Sequence, residues 1–171
     1  MSDAAPIQDA ADLTRHIETR YHARHRQQLP TLIKLAEMIE DLHEPDHDVP
    51  EGLTAILRRL NGEMEVHMKK EELLIFPLIR KGTGAPLAER IALMRADHDD
   101  HDCEIARIRH LTDNLTLPEG ACTPWATLYE GLAEFIADLS EHIRLENDVL
   151  FPQVEPAEQQ DPAQRTFGAT E

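Results

Sequence analysis

Two segments of the chain, HMKKEELLIFP and HIRLENDVLFP, repeat one pattern of histidine, glutamate and proline. Each begins with a histidine that is followed four residues later by a glutamate, giving the pairs His67 with Glu71 and His142 with Glu146. On a helix this spacing places both side chains on one face, with Cβ atoms about 5–6 Å apart. Imidazole and carboxylate both bind metals, so the two segments predict a metal site shared between two helices.

The elements that position these side chains are four stretches in which apolar residues recur at helical spacing. The predicted helices cover residues 12–43, 53–77, 86–111 and 124–154. Pro30 is the expected position of a kink in the first helix, Gly82 and Gly84 close the second, and Pro86 begins the third. No stretch alternates with period two, so the predicted fold class is all-α, an antiparallel four-helix bundle.

A length of 171 residues suits one domain with a substantial core. The bundle is assigned to residues 12–154, after a flexible N-terminus at 1–11 and before a polar tail at 155–171 that is expected to be disordered.

Six side chains fall at one depth of this bundle when positions are counted outward from the predicted turns at 1.5 Å per residue. They are His22, His67, Glu71, His98, His142 and Glu146. Burying so many polar groups is unfavourable unless they are satisfied together, and metal coordination does this. Four histidines with two opposed glutamates suit two metal ions about 3.5–4 Å apart. Iron is favoured, while zinc and copper stay open as alternatives.

Several side chains next to these six could take part in the site or lie outside it. His101 and His25 are each a candidate for a fifth histidine ligand or an outer hydrogen-bond partner, and His101 is favoured because it stays within the counted layer. His43 is predicted to lie near a helix end and not at the metal. Glu72 points about 100° away from Glu71 and is expected to face solvent.

Other polar and aromatic residues near the predicted layer are assigned supporting roles and not metal ligation. Glu63 and Asp97 are candidates for outer hydrogen bonds or proton handling, and Phe76 and Phe151 are predicted to fill the core above the site. The histidines expected on the surface are His16, His47 and His110.

Composition excludes several classes of protein. Thirty-three acidic residues against seventeen Lys and Arg give a formal charge of −16, which disfavours binding to nucleic acid or an anionic membrane. No apolar run is long enough to span a bilayer, and the acidic start does not resemble a signal peptide. Two cysteines without a CxxC motif favour a reduced, cytoplasmic protein.

Four segments together resemble the hemerythrin-like HHE domain, and specifically the iron-sulfur cluster repair di-iron proteins, known as repair of iron centres or RIC. They are RYHARHRQQLP, HMKKEELLIFP, the ADHDDH stretch around His98, and HIRLENDVLFP. The resemblance spans roughly Leu13 to Gln153 and includes ACTPW, just before the fourth helix.

This resemblance implies two non-haem iron ions with an oxo or hydroxo bridge. The matching histidine ligands are His22, His67, His98 and His142, and the matching bridging carboxylates are Glu71 and Glu146. It further implies a protein of the response to nitrosative and oxidative stress, which supplies iron to damaged iron-sulfur proteins or reacts with nitric oxide. The family commonly has a cysteine-containing domain ahead of the bundle, whereas about eleven residues without Cys precede it here. The sequence therefore gives no support for a role that needs that domain.

Three other functions use the same metal ligands. A hemerythrin-type carrier or sensor would bind oxygen or nitric oxide reversibly, a di-iron oxidase or peroxidase would turn over, and a zinc-bound bundle would be structural. The interpretation as an enzyme with catalytic turnover is not favoured. Iron donation and gas binding differ in how readily the iron leaves and in how easily small ligands reach it. Both functions use the same ligands, so the sequence favours neither.

Overall fold

The computed structural model describes residues 9–43, 48–82 and 87–155. Within these ranges the chain forms four long helices and no strand, which confirms the all-α prediction. They are numbered α1 (Ala10–His16, Ile17–His22 and Ala23–Leu42), α2 (Leu53–Lys70, Glu71–Ile75 and Phe76–Lys81), α3 (Ala88–Leu111) and α4 (Thr123–Arg144, Leu145–Leu150 and Phe151–Val154). The predicted features at residues 1–8 and 156–171, and at His47, Gly84 and Pro86, lie outside the described residues.

Three of the four helices contain a π-helical turn, a wider turn in which backbone hydrogen bonds reach one residue further than in an α-helix. These turns are Ile17–His22, Glu71–Ile75 and Leu145–Leu150. The turns in α2 and α4 end just ahead of Pro77 and Pro152. Proline has no N–H to donate and its ring crowds the carbonyl four residues earlier, so the helix widens before it. The repeated sequence thus produces a repeated local structure.

The helix α1 continues in α-helical form through Pro30, within Ala23–Leu42. Its departure from regular α-helix geometry lies earlier, at Ile17–His22, where no proline follows closely.

Cross-helix contacts show that sequential helices run antiparallel. Between α2 and α3, Arg59 pairs with Glu104 while Lys70 pairs with Asp97, so residue numbers rise in one helix as they fall in the other. Between α1 and α2, Arg80 at the end of α2 donates to Thr14 near the start of α1. The structure is therefore the predicted antiparallel bundle.

The interior consists of two apolar clusters with a polar layer between them. The larger cluster includes Leu29, Leu57, Leu60, Ile108, Leu128 and Phe135. The smaller one includes Leu13, Ile17, Phe76, Ile91, Leu150 and Phe151. On each helix the buried histidines fall between the stretches that supply these two clusters, so the bundle holds them in one layer with apolar packing on both sides. In the part of the chain that the structure describes, no helix is both long and apolar enough to cross a membrane.

Candidate metal centre

The six side chains predicted from the sequence meet in this layer as two overlapping groups of four. One group is His22, Glu71, His142 and Glu146, and the other is His67, Glu71, His98 and Glu146. Within each group, one ligand atom per residue lies within 4.8 Å of all the others. Each of the six is at most 3% exposed. The glutamates belong to both groups, and each histidine belongs to one.

Glu71 directs its two carboxylate oxygens to different histidines. Its Oε2 lies 3.3 Å from Nε2 of His22 on α1, and its Oε1 lies 3.2 Å from Nε2 of His67, one turn earlier on α2. Glu146 on α4 repeats the arrangement, with Oε1 3.0 Å from Nε2 of His142 and Oε2 3.0 Å from Nε2 of His98. A carboxylate with one oxygen in each group is suited to bridge two ions.

Several of these buried atoms have no hydrogen-bond partner among the described residues, so the protein alone does not satisfy them. They are Nε2 of His22, Oε1 and Oε2 of Glu71, and Oε2 of Glu146. In addition, Nε2 of His67 and Nε2 of His98 face each other at 3.2 Å. Leaving such groups buried and unpaired costs about 1–3 kcal/mol each, and more for charged ones. Metal ions in the two groups would satisfy these lone pairs together, so the residues present fit a two-metal centre.

The electrostatics of the layer couple metal binding to proton release. Burial opposes a proton on His67, but the charge of Glu71 and the hydrogen bond with Asp97 outweigh it and raise the pKa of His67 to about 10. Burial likewise opposes ionisation of Glu146, yet His142 and His98 hold the pKa of that carboxyl well below its usual range. Without metal, carboxylates thus hold a proton on the imidazole. A metal ion must displace that proton, because only the neutral ring coordinates.

Each of the four histidines uses its other ring nitrogen for a hydrogen bond that orients the ring. The Nδ1 pairs are His22 with Glu72 at 2.8 Å, His67 with Asp97 at 3.2 Å, His98 with Asn147 at 3.0 Å, and His142 with His25 at 3.3 Å. With Nε2 committed to the centre, Nδ1 carries the proton and donates. Each group of four therefore contains one histidine that donates to a carboxylate and one that donates to a neutral acceptor.

The expectation that Glu72 faces solvent is wrong. Its side chain is 24% exposed and accepts hydrogen bonds from both His22 and Arg26. The prediction failed because α1 packs over this face of α2 and covers it. Of the two roles considered for Asp97, an outer hydrogen bond or proton handling, the structure shows the hydrogen bond, to His67.

His25 supports the centre from outside. Its Nε2 faces Nδ1 of His142, its Nδ1 lies 3.4 Å from Oε1 of Gln28, and Gln28 donates to Asp138, which also accepts from Arg20. Burial lowers the pKa of His25 to about 3, so the ring is neutral and its Nε2 can accept from His142. His25 therefore contacts the far side of a candidate ligand. Asp138, four residues before His142 on α4, could have been found from that spacing, whereas Gln28 gave no distinct signal.

His101, the favoured candidate for a fifth histidine ligand, lies outside both groups of four. Its ring centre is 5.2 Å from that of His67, edge to face, and the residue is 2% exposed. Burial lowers the pKa of His101 to about 3, which keeps the ring neutral. Phe76 stacks on His22 and Phe151 on His98, as expected of core residues above the site.

A family comparison now agrees with this geometry. The family model described as the Hemerythrin HHE cation binding domain matches residues 13–154. The chain belongs to this family. Its match covers all four helices and every residue of the two groups, so the hemerythrin-like bundle and the presence of a cation-binding layer are both features of the family.

Two relatives show which branch of the hemerythrin family this chain resembles. The chain is 45% identical over 153 residues to the iron-sulfur cluster repair protein YtfE of Pectobacterium carotovorum, covering 88% of this chain and 69% of that protein. It is 46% identical over 149 residues to the protein of the same name from Salmonella paratyphi B, covering 87% of this chain and 66% of that protein. The chain thus spans about two thirds of the length of these relatives. The predicted resemblance to the repair branch is confirmed.

Three further histidines that the structure describes lie away from the two groups. His43 is near the other end of α1, with Nε2 3.3 Å from Sγ of Cys122 and its ring 4.9 Å from that of Trp125. His110 is exposed, as expected, while His16 is half-buried against the edge of Tyr21.

Proposed function

We propose that the protein binds two iron ions, one in each group of four side chains, with an oxo or hydroxo bridge between them. The proposed ligands are His22, His67, His98 and His142, with Glu71 and Glu146 each shared by both ions. The observation that carries this proposal is the division of each buried carboxylate, one oxygen toward each group. Zinc in one half alone would leave oxygens of the shared carboxylates unsatisfied.

We further propose that the protein supplies iron for the repair of damaged iron-sulfur clusters, or reacts with nitric oxide, during nitrosative and oxidative stress. The names of the relatives support the repair role, because they are iron-sulfur cluster repair proteins at about 45% identity. A damaged iron-sulfur protein is then the partner, and iron is the cargo. The support for nitric oxide is the sequence resemblance alone.

The chain's own residues contribute in three ways. When bound, the iron pair supplies ligand exchange and one-electron chemistry. The Nδ1 hydrogen bonds to Glu72, Asp97, Asn147 and His25 fix the orientation in which each ring turns Nε2 toward the centre, and the apolar clusters keep bulk water out. Protonation reverses the binding, because His67 readily takes back its proton from solvent as metal leaves.

Metal content and repair should be measured on one preparation. Protein loaded with iron without oxygen is expected to contain about two irons per chain, with a magnetically coupled ferric pair after oxidation. Mixed with an iron-sulfur enzyme inactivated by nitric oxide, it should restore that enzyme's activity while losing its own iron. Protein carrying Glu71→Ala, treated identically, is the control that lacks one of the two shared carboxylates.

Other results would point to other functions. Reversible binding of oxygen, with iron kept against chelators and the damaged enzyme left inactive, would establish the carrier or sensor function and contradict iron supply. Steady consumption of peroxide or oxygen with a reductant would establish an oxidase or peroxidase. Zinc as the sole metal from iron-replete cells would contradict the di-iron proposal itself.

A further inference from the structure

A cavity of about 360 Å³ opens on the surface between α2 and α3, beside the half of the centre that contains His67. Three carboxylates and one imidazole line it, from Glu63 on α2 and from Asp97, Asp100 and His101 on α3. On α3 the spacing of these residues is three and four positions, which places them on one helical face. The cavity therefore presents several metal-binding side chains to one space.

Two contacts connect the cavity wall to the centre. Oδ2 of Asp97 lies 3.2 Å from Nδ1 of His67, on the side of the ring away from Glu71. The ring of His101 packs edge to face on the same imidazole, with 5.2 Å between ring centres. His67 is thus the candidate ligand that separates the centre from this cavity.

His101 is an unusual residue in the cavity wall. It is 2% exposed, and its Nδ1 is buried without a hydrogen-bond partner among the described residues. A buried imidazole nitrogen without a partner costs free energy, and binding of a metal ion is one way to satisfy it. It is not explained by the centre, because His101 belongs to neither group of four.

We propose that His101, with the carboxylates of Asp97, Asp100 and Glu63, is a transfer site that takes a divalent metal ion from the His67 half of the centre toward solvent. This inference rests on the proposed iron supply and adds the route by which the iron leaves. Transfer is a ligand exchange: a bond from the ion to a ligand of the centre breaks as one to His101 or a cavity carboxylate forms. No electron moves, and the vacated ligand takes a proton from solvent.

The donor chemistry of the cavity suits this cargo. Carboxylate oxygen and imidazole nitrogen bind Fe²⁺ and Mn²⁺, and they hold such ions less tightly than thiolates hold softer metals. Among the described residues that line the cavity, Lys70 is the one cation, and it donates to Asp97 at 2.9 Å, so the three carboxylates give this wall a net negative charge. The cavity donors do not converge as closely as the two groups of the centre do. A transfer site must bind the ion weakly, because a site whose donors converge closely would retain it.

The test compares the rate of iron transfer to a ferrous chelator from protein with a full centre. His101→Phe removes the nitrogen donors but keeps a buried ring, and Asp100→Asn removes one exposed carboxylate without disturbing the core. Both variants should keep the wild-type iron content, yet release iron about tenfold more slowly. Matched controls on the same helix are His110→Phe and Asp99→Asn, which alter exposed residues outside the cavity wall and should release iron at the wild-type rate.

A second measurement does not depend on iron release. Once the centre is full, added Mn²⁺ should bind weakly at one further position, seen as loss of the free-ion signal in electron paramagnetic resonance. Asp100→Asn and His101→Phe should abolish that binding, and Asp99→Asn should not. Wild-type release rates together with unaltered Mn²⁺ binding in both cavity variants would overturn the transfer site.

The two proposals fail in different ways. If wild-type protein releases no iron to the chelator and repairs no enzyme, iron supply itself is wrong. If wild-type protein releases iron and repairs the enzyme while both cavity variants match it, iron supply stands and the route through His101 is wrong.

Discussion

Glu72 holds the imidazole of His22 from the side opposite Glu71: Oε1 of Glu72 lies 2.8 Å from Nδ1, and Oε2 of Glu71 lies 3.3 Å from Nε2. Two consecutive glutamates can bracket one ring because neighbouring residues on a helix project about 100° apart, and α1 places His22 in the angle between them. The π-helical turn that begins at Glu71 sets this local geometry.

Replacing Glu72 with Gln should weaken metal binding without removing a ligand. The charge that favours Nδ1–H of His22 is lost, so metal affinity should fall about tenfold, as for other outer hydrogen-bond partners. Competition with a chelator of known affinity measures this. The matched control is Glu65→Gln, because Glu65 shares Arg26 with Glu72 but does not reach His22. Equal affinity losses in both variants would assign the effect to Arg26 instead.

Replacing a shared carboxylate should lower the number of bound metal ions more than replacing a histidine does. Glu71 has an oxygen in each group, so Glu71→Ala should deplete both ions, whereas His142→Ala alters one group and should leave about one ion per chain. Both variants should also unfold at lower temperature, since buried ligands lose their partner. Metal analysis and thermal melting of the two proteins make the comparison. Retention of two ions by Glu71→Ala would contradict the bridging role.

His43→Ala should leave the metal content unchanged. This histidine lies beside Cys122 and Trp125, at the end of α1 remote from His22. His22→Ala, a change of the same size on the same helix, should lose metal. If His43→Ala lost iron and His22→Ala retained it, the assignment of the layer would be wrong.

Metal-free protein should lose stability as pH rises above neutrality. The pKa of His67 is about 10 in the folded protein against 6.5 ordinarily, so the folded state holds a proton that the unfolded state releases between these values. Its contribution to the free energy of unfolding is complete below about pH 6.5 and is lost by about pH 10. Urea unfolding of chelator-treated protein at several pH values would measure this loss.

The hydrogen bond to Asp97 is one cause of that raised pKa, so Asp97→Asn should reduce the loss of stability between pH 6.5 and 10. Asp99→Asn, an exposed neighbour on α3, should leave it unchanged. A metal-free protein whose stability rises through this range would show that His67 is not held protonated by its neighbours.

The chain's periodicity was enough to predict the four helices and the shared depth of the six polar residues. Both follow from short-range geometry: the rise per residue and the spacing of the repeated histidine and glutamate fix depth and face along a helix. The proline that ends each repeat is also a local signal, and in both α2 and α4 a π-helical turn precedes it.

Only the tertiary structure decided which groups face one another across helices. Helix rotation and packing bring Glu72 onto His22, turn His25 to the outer nitrogen of His142, and leave His101 beside a cavity and outside both groups. These three residues lie within a turn of candidate ligands in the sequence, where depth alone cannot distinguish them. Their roles depend on the angle at which each helix meets its neighbours. That angle is set by the packing of the two apolar clusters, and a local sequence pattern does not encode this packing.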